Sequence, residues 1–259
     1  MNNDKLRQAI VVVMVIATIV VNGLATALPL NGQTTGEISD RFEVFFVPAG
    51  YVFAIWGLVY LGLGAYAIYQ AIPAQSNNQR LRRIGVPFTI ASLANMAWIF
   101  LWHYEQFSLT LIAMLTLLVS LIVIYLRLDI GRADVSTAER WSVHVPFSIY
   151  LGWITVATIA NVTSLLDYLN WSGWGISPEV WAVIMLIAGV VIASAVSLTR
   201  GDVAYLLVLI WAFVGIAMKH QGTALVAPTA WITSGLVLVM LVVGVFLKTR
   251  SQASSEPIG

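Results

Sequence analysis

An all-α polytopic transmembrane bundle of about eight helices is the fold class this sequence predicts, on three observations. Hydrophobic residues make up 59% of the 259 and charged residues only 10%, against roughly 45–50% and 25% in soluble domains. The apolar residues fall into long runs close to the ~20 residues that a helix needs to cross a bilayer. The lysines and arginines lie almost entirely on one side of the map that those runs define. A β-barrel is excluded, since its strands would appear as short alternating segments.

Taken in order, the predicted spans are Ala9–Leu30, Phe46–Ile72, Val86–His103, Phe107–Leu128, Val143–Leu166, Val180–Leu198, Val203–Met218 and Thr229–Leu247. Each is bounded by a charged, proline-containing or glycine-containing stretch, and each must close its backbone hydrogen bonds within itself, as a helix does. Val203–Met218 is the shortest and falls slightly under the usual length. The first run ends in Ala25-Thr26-Ala27, a small-x-small pattern like a signal-peptidase site. The run is long for a signal segment, so the helix is expected to be retained.

Basic residues test this map. Lys5, Arg7, Arg80, Arg82, Arg83, Arg127, Arg132, Arg140, Arg200, Lys248 and Arg250 share one side, leaving Arg41 and Lys219 on the other. Lys and Arg accumulate in cytoplasmic loops, so both termini are expected in the cytoplasm, the membrane being a bacterial plasma membrane. With 13 basic and 12 acidic residues, a net charge of +1 leaves no excess for holding nucleic acid. The expected partners are the lipid bilayer and a hydrophobic small molecule.

No Asp, Glu, Lys or Arg falls in mid-span, which argues against a proton relay, a carboxylate cation site or a voltage sensor. Lys219 lies at a span end, too shallow for a retinal Schiff base. The absence of cysteine removes thiolate metal sites and a Cys nucleophile. His103, His144 and His220 sit at span ends on both faces, and interfacial histidines describe them better than a metal centre. No metal and no resident cofactor are expected.

Aromatic and amide groups remain. Phe53, Trp56 and Tyr60 are separated by 3 and 4 residues, as are Asn95, Trp98 and Trp102. Tyr150, Trp153, Ala157 and Asn161 follow at 3, 4 and 4. Such spacings set each group on one helix face. With the second span running inward and the third and fifth outward, all three stripes overlap in the outer half of the membrane. Facing one another, they would form an apolar aromatic pocket with a few amides, suited to a flat hydrophobic ligand. The 31–45 loop, with Glu37, Asp40, Arg41 and Glu43, is on the same side and could cap it. The competing interpretation is helix packing, with the asparagines bonding neighbouring helices. Trp141, Trp171, Trp174, Trp181 and Trp231 fall at span ends as interface anchors. Gly189, Ala193 and Ser197 make a small-residue packing ridge.

These residues resemble the TspO/MBR family, the tryptophan-rich sensory proteins related to the mitochondrial translocator protein. Trp153-Ile-Thr-Val-Ala157-Thr158-Ile-Ala-Asn161 is similar to the family's fifth-helix W-x-x-x-A-T-x-x-N pattern, and Asn95-x-x-Trp98 to its third-helix N-x-x-W. Trp56-x-x-x-Tyr60, downstream of Pro48, looks like its aromatic second helix. The chain departs from the pattern in keeping one proline of a pair, in the placement of Tyr51 and Phe53, and in carrying Phe100 where the third helix usually has proline. Pro146 also lies almost a turn early.

The resemblance covers roughly residues 5–172. It implies a TspO-like five-helix core over 1–172, with 173–250 as an additional three-helix segment and 251–259 as a polar tail. It further implies frequent homodimers and a cavity for tetrapyrroles such as protoporphyrin IX, or for sterols, lined by Trp56, Tyr60, Asn95, Trp98, Trp153, Ala157 and Asn161. The function expected is non-enzymatic binding, transport or sensing of a planar hydrophobic ligand. The alternatives are a porphyrin-degrading membrane enzyme, with Trp153 in a redox role, and a structural or regulatory partner subunit docking through its last three helices.

Overall fold

The computed structural model describes residues 3–28 and 30–253, and every regular element among them is helical. The polar tail expected at 251–259 lies outside the described residues from 254 onward. Seven helices are long and apolar enough to cross a membrane, and an eighth, Val203–Lys219, is apolar but has 17 residues, about 25 Å of helix. The protein is a multi-pass integral membrane protein.

The chain divides into two compact units, one formed by the residues up to Val44 with Phe53–Trp171, the other by Phe45–Val52 with the residues from Ser172 onward. The first unit contains α1 (Asn3–Ala27), α2 (Thr35–Ser39), α3 (Ile55–Ala71), α4 (Gln79–His103), α5 (Phe107–Arg127), α6 (Thr137–Glu139) and α7 (Val145–Tyr168). A π-helical turn, Arg140–His144, carries α6 into α7. Helix α1 packs between α3 and α4, α4 on α5, α5 on α7, and α7 back on α3, so the five long helices close into a ring. Its interior is where a polar side chain is shielded from lipid and water alike.

The side chains explain these contacts. Gly62 of α3 lets the Pro146 ring of α7 approach to where a Cβ would lie 2.9 Å from the proline Cβ. Tyr66, Phe88 and Phe147, from α3, α4 and α7, meet edge to face with centroids 5.0–6.0 Å apart. Each such aromatic pair is worth about 0.5–1.5 kcal/mol beyond its burial. On the basic end, Arg80 holds the buried Glu139 carboxylate through two hydrogen bonds of 2.8 and 3.2 Å. Arg82 grips Asp4 in the same two-pronged way.

The second unit holds α8 (Pro178–Arg200), α9 (Val203–Lys219) and α10 (Val226–Ala253), with α10 packed on both others. Ser177 caps the start of α8, Gly201 closes it with φ +57°, and Asp202 caps α9 through a hydrogen bond from the Tyr205 N–H. The ridge on α8 does pack helices together. Gly189 leaves room for the Phe213 ring, Ala193 is fully buried, and the Ser197 hydroxyl donates to the Met240 carbonyl opposite Gly244.

The predicted second span, Phe46–Ile72, is too long. The helix proper begins at Ile55 after a tight 3₁₀ turn, Gly50–Ala54, and Phe45–Val52 instead lies along α9. Its Ala49 N–H donates to the Gly215 carbonyl at 3.1 Å, and its Val52 carbonyl accepts from Trp211 Nε1 at 3.2 Å. The Tyr51 ring stands edge-on to Trp211, and the Phe46 ring to Phe213. His220, just past α9, sits 3.3 Å from the Val47 carbonyl, and burial together with the neighbouring Lys219 charge lowers its pKa below the usual 6.5. The first span likewise ends earlier than expected, at Ala27, with Leu30–Gly32 forming a separate turn.

Candidate functional site

The stripes on α3 and α7 meet inside the ring. Trp56 and Tyr60 lie one turn apart and stack at 5.5 Å with 20° between their planes. Trp56 also presents its ring to Tyr150 at 6.0 Å and to Trp153 at 6.3 Å, both near perpendicular. Phe53 meets Trp153 edge-on at 5.7 Å, although it belongs to the 3₁₀ turn ahead of α3 and not to the same helix as Trp56. Tyr150 and Trp153 are buried, while Phe53, Trp56, Tyr60 and Ala157 are half-buried.

The α4 stripe divides between two surroundings. Asn95, 1% exposed, donates from Nδ2 to the Tyr150 hydroxyl at 3.0 Å and so joins the α3–α7 group. Trp98 and Trp102 stack on each other at 5.1 Å and pack into a second aromatic group with Phe42 and Phe107. Trp102 Nε1 donates to the Thr35 carbonyl at 3.2 Å, which spends that tryptophan on the loop above it.

That loop covers this end of the ring. Thr34 and Glu37 form a reciprocal capping box that starts α2, and the Thr34 N–H and hydroxyl hold the Glu37 carboxyl below its usual pKa. Ile38, fully buried, packs with Trp102, Phe107 and Leu165. Arg41 pairs with Glu105 at 2.8 Å, Asn31 Nδ2 donates to the His103 carbonyl, and the Glu43 N–H donates to Asp167. Asp40 ends α2, its backbone N–H donating to the Gly36 carbonyl at 2.9 Å.

Asn161, at the same end of α7, donates from Nδ2 to Thr110 Oγ1 of α5 at 3.0 Å. Its Oδ1 is buried without a partner, as are Trp98 Nε1 and Trp153 Nε1. Buried polar atoms of this kind cost free energy unless something satisfies them. Sequence reasoning missed Asn22 and Thr18 of α1. The Asn22 amide nitrogen donates both to the Thr18 carbonyl at 2.8 Å and to Asn95 Oδ1 at 2.7 Å, tying α1 to the α4–α7 bond. A lone amide within an apolar span is the signal that could have found it.

Among the described residues, no three His, Asp or Glu side chains come together as a metal site. Of the tryptophans read as anchors, Trp141, Trp174 and Trp231 are exposed, and Trp181 is half-buried with its Nε1 on the Gly173 carbonyl.

Neither the curated proteins nor the solved structures yield a match to this chain. A family model described as TSPO-like protein matches residues 8–243, well beyond the motif-bearing residues 5–172 and into the last helix. With most of its length inside that match and its five-helix ring carrying the motif residues, the chain belongs to the TSPO-like family.

Proposed function

We propose that the first unit binds a planar hydrophobic ligand, a tetrapyrrole or a sterol, between the aromatic faces of α3 and α7, and serves its transport or sensing. One observation carries the reading: Phe53, Trp56, Tyr150 and Trp153 converge inside the ring, with the buried Trp153 Nε1–H left without an acceptor. An aromatic wall with a few oriented polar groups is how proteins hold flat ligands. The α2 loop fastened over Trp102 supplies a cover that excludes water from that end. The absence of mid-span charge makes stacking and neutral hydrogen bonds the means of recognition.

Purified protein in nanodiscs, titrated with protoporphyrin IX in the dark, is expected to show saturable quenching of tryptophan fluorescence. Linear, non-saturating quenching for both porphyrin and sterol probes would sink the proposal. The enzymatic alternative predicts something further, a loss of pigment absorbance under illumination that requires Trp153.

We also propose that the basic end faces the cytoplasm, on the strength of the 11 lysines and arginines assigned there. Reporter fusions in the 73–78 loop should give cytoplasmic signals; an external signal would reverse the orientation.

A further inference from the structure

The hydrogen bonds that cross the ring have a direction, and that direction follows from one backbone atom. The Thr18 carbonyl can only accept, so the Asn22 atom 2.8 Å from it must be the amide nitrogen. The same nitrogen lies 2.7 Å from an Asn95 side-chain atom, which must therefore be the oxygen. The other Asn95 atom is then the NH₂ group, and it donates to the Tyr150 oxygen at 3.0 Å. Polarity passes from α1 to α4 to α7, and no choice of amide orientation is left free. At the end of the chain stands the Tyr150 hydroxyl hydrogen, whose own oxygen is already an acceptor.

We infer that Asn22 is a positioning residue that turns the Tyr150 hydroxyl into a hydrogen-bond donor for the ligand, so that the site selects flat apolar molecules bearing an acceptor such as a carbonyl or carboxylate. The inference rests on the planar-ligand reading above. One turn from Tyr150 on the same helix, Trp153 Nε1 is a second buried donor without an acceptor, and both rings flank Trp56. Against these donors, the one buried acceptor of the motif residues without a partner is Asn161 Oδ1, two turns along α7 from Trp153. A donor-rich wall leaves its hydrogens unsatisfied against a plain hydrocarbon and pairs them with an acceptor, which makes the wall discriminating.

Without Asn22, the Asn95 amide is free to rotate and present its oxygen to Tyr150. The tyrosine hydrogen is then consumed inside the protein, and the site loses its preference while keeping its shape.

Fluorenone and fluorene test this, because they share one flat skeleton and differ by a carbonyl. Their affinities are measured for the full-length protein in nanodiscs by displacement of protoporphyrin IX or by calorimetry. The readout is the fluorenone-to-fluorene affinity ratio compared between proteins, in which lipid partitioning cancels. Tyr150→Phe is expected to lower that ratio by about 3- to 10-fold, the value of one net hydrogen bond. Asn22→Leu should lower it in the same direction, and Asn22→Ala serves where leucine disturbs packing. With both probes still binding saturably, a ratio unchanged in Tyr150→Phe overturns the donor assignment, and a ratio lowered in Tyr150→Phe but unchanged in the Asn22 variants overturns the positioning role of Asn22. Failure of either probe to bind the unsubstituted protein saturably removes the planar-ligand reading together with this inference.

Discussion

Replacing Trp56 with alanine is expected to weaken protoporphyrin IX binding by about 10- to 100-fold, the largest loss from any single substitution in the site. Trp56 is the one ring that touches Tyr60, Tyr150 and Trp153 at once, through one stacked and two edge contacts. Each contact is worth about 0.5–1.5 kcal/mol, and about 1.4 kcal/mol is tenfold in affinity. Its removal takes away a wall of the site and also the neighbour that sets the tilt of Tyr150 and Trp153. Trp56→Phe should keep part of the wall and fall between alanine and the native residue. Trp141→Ala, 65% exposed and outside the ring, should leave the affinity unaltered. Fluorescence titration in nanodiscs decides the matter, and a Trp56→Ala dissociation constant within twofold of the native value would count against the site as drawn.

The parts of this site legible in the sequence are those that repeat along one helix. Trp56 and Tyr60 share a face because they are four residues apart, and Tyr150 and Trp153 because they are three apart. Which faces meet is set by tertiary packing, and here the stripes do not behave alike. The α3 and α7 groups face each other, whereas Trp98 and Trp102 turn toward Phe42, Phe107 and the cap. Asn95 looks in the sequence like a ligand contact, yet both ends of its amide are taken up by Asn22 and Tyr150. Asn22 was passed over because its signal is a single amide in an apolar run, not a repeat along a helix face. Phe45–Val52 misled for a different reason. Apolar residues in a membrane protein can face lipid or another part of the chain, and Phe46 and Val52 are apolar because they bury against α9.

That burial makes Gly215 a vulnerable position of the second unit. A Cβ at residue 215 would fall inside the Val52 Cγ2 methyl and lie 3.1 Å from Pro48 Cβ. The valine methyl can rotate away, but the proline ring is fixed to the backbone, and the same stretch is held by the Ala49 N–H on the Gly215 carbonyl. Gly215→Val is therefore expected to cost about 3 kcal/mol or more, from overpacking and from loss of the hydrogen bonds to Ala49 and Val52. In a thermal unfolding scan in detergent this is a drop of roughly 5–10 °C for a chain of this size. Amide exchange should report the cause, with faster exchange at Ala49 in Gly215→Val than in the native protein. Gly215→Ala is milder, and Val52→Ala should partly rescue it by removing the nearest methyl, leaving the double substitution more stable than the two single costs added together. Additive losses, or an Ala49 amide as protected in Gly215→Val as in the native chain, would show that the segment is not held by α9 in the way its contacts require.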